Sequence, residues 1–118
     1  MQYLFLVGTA PDSSSLEHEW EVPDERHAGT EDWATEMDRR GIRKAGNRLR
    51  PAEDATTVRI RGGELLVTDG PFVEGKEYIG GFDVIDAADL DEAIAVAAKH
   101  PMARYGLIEV RPTWPFDL

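Results

Sequence analysis

Charged side chains on two segments typical of β-strands are candidates for acid–base or anion-binding chemistry. Side chains alternate between the two faces of a strand, so Glu109 and Arg111 share one face of the predicted strand 106–111. Asp83 lies among apolar residues in the predicted strand 78–85. A buried charge is costly unless it is paired, so we expect these three side chains to line one polar cavity between the sheet and a dimer partner. The alternative interpretation is a structural network of ion pairs at a subunit interface.

His100 is the histidine best placed for acid–base catalysis. Its unperturbed pKa, near 6.5, suits a general base at neutral pH. It also ends a predicted helix, where histidine is a common partner of the helix dipole, and both interpretations stay open. His18 and His27 are weaker candidates because they lie in a predicted loop. Three scattered histidines without close carboxylates give little support for a metal site, and we expect no cofactor.

Asp69-Gly70 is typical of a tight hairpin turn, but Pro71, which follows it, argues against one. Asp-Gly dipeptides usually mark such turns, but the donor that the turn requires would belong to Pro71, which has no N–H. We therefore predict that the chain leaves the sheet sharply here, with Gly70 in an extended or glycine-only conformation. The Asp69 carboxylate then lacks its usual local partner. It is expected either to accept a hydrogen bond from the Phe72 N–H or to point into a cavity.

The composition limits the class of protein. A chain of 118 residues with 42% hydrophobic and 31% charged residues predicts one soluble globular domain. The net charge of -10 disfavours binding to a nucleic-acid backbone. We interpret the basic run at residues 39–44 as a solvated helix end. The sequence has no apolar run near the roughly 18 residues of a membrane span, and its start lacks the features of a signal peptide. Without cysteine, disulfides and thiol catalysis are excluded, and we expect a cytoplasmic protein.

Apolar periodicity and turn residues divide the chain into six strands and two helices. The predicted strands cover residues 2–7, 42–50, 56–60, 65–68, 78–85 and 106–111, and the predicted helices cover residues 30–40 and 90–99. Thr30 and Asp89 are the predicted N-caps of the two helices. Residues 9–29 are predicted to form a long loop, which we interpret as a lid or a partner contact. The second helix is predicted to face the core with an apolar stripe of Leu90, Ile94, Ala97 and Ala98.

The order β-α-β, hairpin, β-α-β predicts a single α+β domain of the ferredoxin-like class. It has an antiparallel sheet with two helices on one face and an inserted hairpin. Trp33 and Met37 are predicted to face the core from the first helix. The first strand is apolar on both faces, with Phe5 on one and Leu4 and Leu6 on the other, so both faces should be covered. Two helices cover only one face, so we predict a homodimer that packs sheet to sheet.

The segment that begins Asp69-Gly70-Pro71-Phe72 resembles the DGPF-domain group of YCII-related proteins. Further matches to the family pattern are Gly80-Gly81-Phe82, Thr57-Val58-Arg59, Asp89-Leu90-Asp91-Glu92-Ala93 and Glu109-Val110-Arg111-Pro112. The resemblance implies a dimeric ferredoxin-like α+β barrel. Most such proteins have no known activity, and many are encoded beside extracytoplasmic-function sigma factors. One YCII relative removes chloride from a chlorinated hydroxyhydroquinone.

The enzymes among these relatives carry a His-Asp pair whose histidine lies in the first helix. Thr30 occupies about that place here, and His27 lies about one turn earlier, so the pair does not transfer intact. The first hypothesis implied by the resemblance is a small-molecule acid–base enzyme, such as a lyase, isomerase or dehydrochlorinase, with its site in a cleft at the sheet. Its candidate catalytic residues are Asp69 and His100, and its candidate ligand-binding residues are Arg59, Lys76, Asp83, Glu109 and Arg111.

The second hypothesis is a non-catalytic module that binds a ligand or a protein. It would act as a dimer in sigma-factor signalling, with the acidic segment 12–32 as its partner surface. In a third possibility both sites have decayed and only the fold remains.

Overall fold

A computed structural model describes residues 1–9, 24–70 and 78–114. Within these ranges the strands are β1 (Gln2–Thr9), β2 (Arg43–Arg48), β3 (Thr56–Arg61), β4 (Glu64–Asp69), β5 (Tyr78–Asp86) and β6 (Leu107–Pro112), and the helices are α1 (Asp24–Arg39), α2 (Leu90–Ala98) and α3 (Met102–Tyr105). No helix in the described part of the chain is long and apolar enough to cross a membrane.

Strands β2, β5, β1 and β6 form an antiparallel sheet in that order, and β3 and β4 pair in a separate two-stranded sheet. The two β-α-β halves therefore interleave, because the strands next to β1 both come from the second half of the chain. This arrangement confirms the predicted ferredoxin-like α+β fold and its inserted hairpin.

The hydrophobic core lies between the helices and one face of the four-stranded sheet. Phe5, Met37 and Ile85 are fully buried there. The indole Nε1 of Trp33 donates a hydrogen bond to the Val96 carbonyl oxygen at 3.0 Å, which ties α1 to α2. The predicted core positions of Trp33 and Met37 are thus confirmed.

The opposite face of the sheet is also apolar. Leu4 pairs with Val84 and Leu6 with Phe82, and all four side chains are only half-buried. Directly paired residues share one face of a sheet, so these side chains form a continuous patch away from the helices. We call it the open sheet face.

The predicted apolar stripe of α2 is wrong for three of its four residues. Leu90 and Ile94 are each 50% exposed, and Ala98 is exposed, whereas Ala97 is buried as predicted. The buried stripe is instead Ala93, Val96, Ala97 and, beyond the helix end, His100. Small side chains let a helix approach the sheet closely, so the packing favours the alanine face over the face with larger apolar residues.

The helices agree only in part with the predictions. α1 begins at Asp24, so Thr30 lies inside the helix instead of capping it, and the predicted loop 9–29 ends earlier. Asp89 does cap α2, because its Oδ1 accepts a hydrogen bond from the Glu92 N–H at 2.8 Å. The short helix α3 was not predicted.

The hairpin of β3 and β4 turns at two glycines. Gly62 and Gly63 have φ angles of 59° and 78°, as a tight hairpin turn requires. Gly70, at the far end of β4, has a φ of 96°. Strand β5 lies in the other sheet, so Asp69-Gly70 forms no tight hairpin, as predicted. Pro71 and Phe72 lie outside the described residues.

Candidate functional site

A cavity of about 670 Å³ opens between α1, β2 and β5 and reaches the segment after α2. It combines an apolar wall with polar groups. The polar or charged lining residues on which the site depends are Thr30, Arg43, Asn47, Arg48, Asp83 and His100. Its volume lies in the range of about 300–1,000 Å³ that is usual for small-molecule sites.

Arg43 and Asp83 form an ion pair in the polar part of the cavity lining. The Arg43 Nε donates to Asp83 Oδ1 at 2.7 Å, and Nη1 donates to Asp38 Oδ1 at 3.1 Å. Asp83 is 7% exposed. Arg43 is thus held on two sides by carboxylates, and its guanidinium is fixed in one orientation.

Gly46 makes room for this pair. β2 shifts its register against β5 between Arg43 and Ala45, and Gly46 then lies opposite Asp83. A Cβ atom at Gly46 would overlap the Asp83 carboxylate and would lie 2.7 Å from Nη2 of Arg43. A glycine is therefore needed for the close approach of β2 to the buried carboxylate.

Burial raises the pKa of Asp83 above its usual range, and the hydrogen bond and charge of Arg43 only partly oppose that rise. Burial alone would lower the pKa of Arg43, but its hydrogen bonds with Asp83 and Asp38 outweigh this and raise it. Arg43 therefore stays charged, while Asp83 exchanges its proton at a higher pH than an ordinary aspartate. Titratable groups with perturbed pKa values beside a cavity are typical of functional sites.

His100 lies on the same cavity, 3% exposed, with its ring 4.6 Å from the Trp33 ring between centroids. Its Nδ1 accepts a hydrogen bond from the Met102 N–H at 3.0 Å. Burial lowers the pKa of His100 to about 4, so the imidazole is neutral at pH 7. A neutral ring offers no charge to the helix dipole, which removes that interpretation.

The predicted common cavity of Asp83, Glu109 and Arg111 is wrong. Asp83 pairs with Phe5 and so faces the helices, whereas Glu109 pairs with Leu6 and lies on the open sheet face. Arg111 shares that face, and its Nε lies 3.7 Å from Glu109 Oε2, with both side chains more than half exposed. Whether this pair lies at a subunit interface remains a prediction.

Asp69 and Arg59 lie on the exposed hairpin, opposite Thr56 and Leu66 respectively. Neither of them lines the cavity, so Asp69 does not join His100 there. Lys76 and His18 lie outside the described residues.

The predictions missed Arg43, which belonged to a basic run that we interpreted as a solvated helix end. The available signal was its spacing from Gly46 within the predicted strand 42–50. The sequence alone does not show that β2 pairs with β5, and it is this pairing that places both residues beside Asp83.

Comparison with known proteins gives one relative and one structural neighbour of interest. An uncharacterised protein, R00369, of Rhizobium meliloti (strain 1021) is 48% identical over 67 residues. That match covers 55% of this chain and 54% of the relative, so it spans about half the length of each.

The structure is similar to 5-chloro-2-hydroxyhydroquinone dehydrochlorinase (TftG) from Burkholderia phenoliruptrix AC1100, solved in complex with 2,5-dihydroxybenzoquinone. The TM-score is 0.54 at 17% identity, with 98% of this chain and 94% of that chain covered. At this identity the likeness supports the shared fold. The model of the YCII-related domain matches residues 1–117. The chain therefore belongs to the YCII-related domain family.

Proposed function

We propose that this protein is a small-molecule enzyme that performs acid–base chemistry in the cavity beside Asp83. The observation that carries the proposal is a buried carboxyl with a raised pKa, held by a fixed guanidinium at the wall of a ligand-sized cavity. A raised pKa brings a carboxyl closer to the operating pH, which makes it a better proton-transfer group.

Asp83 is the proton-transfer group in this proposal, and Arg43 positions it. Ionised Asp83 accepts a proton from the substrate. In an isomerisation it returns this proton to another atom of the substrate; in an elimination the leaving group departs with its bonding electrons and the proton passes to water. Arg43 stabilises the carboxylate form before the first step and after the last. The name of the structural neighbour, a dehydrochlorinase, supports the elimination class and a small oxygenated ring as substrate.

We also propose that the enzyme is a homodimer joined through the open sheet face. Leu4, Leu6, Phe82 and Val84 form an apolar patch there that the helices of the same chain leave half-exposed. A second copy would bury it. Glu109 and Arg111 lie beside this patch, where each is expected to meet the partner's surface.

The direct test is a turnover screen of hydroxyquinols, with and without chlorine, by wild type, Asp83→Asn and a control variant at another aspartate. The matched control is Asp86→Asn, because Asp86 lies on the same strand as Asp83, pairs with the Met1 amine on the surface and does not line the cavity. We expect Asp83→Asn to lower kcat about 100-fold or more, as for loss of a general acid–base group. Activity that survives in Asp83→Asn would contradict the assignment.

A second candidate is a cavity that binds such ligands without turning them over. Thr30 lines the cavity, whereas the resemblance implies a histidine near that place in the enzymes of the family. In this case a ligand would raise the melting temperature by mass action, and no variant would show turnover. A link to sigma-factor signalling remains a prediction.

A further inference from the structure

His100 is held rigidly at the edge of the cavity. It continues the buried stripe of α2 and is 3% exposed, and its ring lies against Trp33 at 57° between the planes. Trp33 is itself fixed by its hydrogen bond to Val96. The imidazole therefore has little freedom to rotate.

The backbone determines which ring nitrogen carries the proton. The Met102 N–H donates to Nδ1 of His100 at 3.0 Å, so Nδ1 presents a lone pair and not a hydrogen. A neutral imidazole has one N–H, which must then be at Nε2. The neutral state agrees with burial of the ring, which lowers the pKa of His100 to about 4.

The Nε2 hydrogen has no acceptor among the described residues. A buried donor without a partner costs free energy, and such groups in native proteins are rare. Because His100 lines the cavity, the missing acceptor is best supplied by a molecule bound there.

We propose that the Nε2–H of His100 donates a hydrogen bond to an oxygen of the bound ligand, and that this oxygen is an enolate, a phenolate or a conjugated carbonyl. This inference rests on the proposed function and extends it by naming the chemical class of the ligand. Such an oxygen gains negative charge when Asp83 removes a proton from the neighbouring carbon or hydroxyl. A neutral donor stabilises that charge and leaves proton transfer to Asp83.

The tautomer is tested on the wild-type protein without any ligand. Two-bond ¹H–¹⁵N correlation spectra of the uniformly ¹⁵N-labelled protein at pH 7 distinguish a protonated from an unprotonated ring nitrogen. We expect His100 to show Nε2 protonated and Nδ1 unprotonated. A spectrum of the Nδ1–H tautomer or of the imidazolium would overturn the inference, whether or not the protein is an enzyme.

The donor role is tested by titration with 4-nitrophenolate, a small phenolate whose absorption band shifts when its oxygen accepts a hydrogen bond. The variants are His100→Gln, whose amide N–H₂ lies near the Nε2 position, and His100→Asn, whose shorter amide does not reach it. We expect His100→Gln to bind within about threefold of wild type and His100→Asn to lose about tenfold or more, as for a hydrogen bond to a charged group.

Absence of wild-type binding, or equal affinities in the two variants, would overturn the donor role. The proposed function fails separately, through turnover that does not depend on Asp83. If turnover depends on Asp83 but 4-nitrophenolate binds the two His100 variants equally, the proposed enzyme activity stands. His100 is then not a donor to the ligand.

Discussion

At the scale of single residues, the site depends on the contrast between two buried groups. Asp83 has a guanidinium within hydrogen-bond distance, whereas among the described residues the His100 ring has a backbone N–H as its hydrogen-bond partner and an aromatic ring packed against it. Burial disfavours the charged form of each: it raises the pKa of Asp83 and lowers the pKa of His100. One group is therefore suited to proton exchange and the other to remaining neutral.

We expect Arg43→Met to destabilise the protein more at pH 7 than at pH 5. Loss of the guanidinium leaves the Asp83 carboxyl buried without a counter-charge, so its pKa rises further. A raised folded-state pKa means that stability falls as pH rises towards that pKa. Breaking a buried pair suggests a loss of roughly 2–4 kcal/mol at pH 7, measured by urea unfolding at both pH values.

Arg50→Met is the matched control for this substitution. Arg50 pairs with Asp54, but its side chain is 86% exposed, so the expected loss is below about 1 kcal/mol at either pH. An equal loss for both variants, or a loss in Arg43→Met that does not depend on pH, would contradict the assigned role of the buried pair.

Because His100 is buried in its neutral form, we expect the protein to lose stability in acid. Its folded-state pKa of about 4 lies below the ordinary value of 6.5, so its contribution is complete above pH 6.5 and is lost as pH falls towards 4. The shift corresponds to about 3 kcal/mol. We expect the free energy of unfolding of wild type minus that of His100→Gln to fall by about this amount across the window. A difference that stays constant with pH would show that the ring titrates normally.

At the scale of elements, β2 decides whether a site exists. Its register shift and its glycine bring Arg43 against the buried carboxylate of β5. A regular strand with a side chain at position 46 would be held away from Asp83. The hairpin of β3 and β4, by contrast, carries Asp69 and Arg59 away from the cavity lining.

Gly46→Ala tests this role of β2. The added methyl group overlaps the Asp83 carboxylate, so the strand or the ion pair must shift, at an expected cost of about 1–3 kcal/mol. Gly80→Ala is the matched control on β5, because within the described ranges a Cβ there meets only the Val7 carbonyl oxygen at 4.0 Å. Thermal and urea unfolding of both variants would measure the difference, and equal stabilities would contradict the close approach described here.

At the scale of the whole molecule, the open sheet face is the apolar surface of the four-stranded sheet that the helices leave uncovered. Large apolar residues project from both sides of β1, but α1 and α2 cover only the side of Phe5. Apolar surface removed from water stabilises association, so a second copy of the chain is the simplest cover.

We expect Leu6→Lys to convert the proposed homodimer into a monomer, because it places a charge in the centre of the open sheet face. Ile94→Lys is the control, since Ile94 is an exposed apolar residue on α2 and should leave the dimer intact. Sedimentation equilibrium over a range of concentrations measures both. A wild type that stays monomeric, or a Leu6→Lys variant that stays dimeric, would contradict a sheet-to-sheet dimer.

The fold could be predicted from local patterns in the sequence, because these patterns specify the strands and helices strongly. Alternation of Tyr3 and Phe5 with Leu4 and Leu6 identified a strand apolar on both faces, Asp89 marked the start of α2, and Pro71 ruled out a tight hairpin. These signals act over a few residues and do not depend on the rest of the chain.

The site could not be predicted in this way, because it depends on contacts between distant parts of the chain. Which face of α2 is buried, and therefore that His100 lies in the interior, depends on how closely Ala93 and Ala97 allow the helix to pack. The register of β1 against its neighbours separates Asp83 from Glu109 by the thickness of the sheet. Arg43 meets Asp83 across 40 residues of sequence. Pairing across such distances is determined by the packing of the whole domain, which no local pattern of residues specifies.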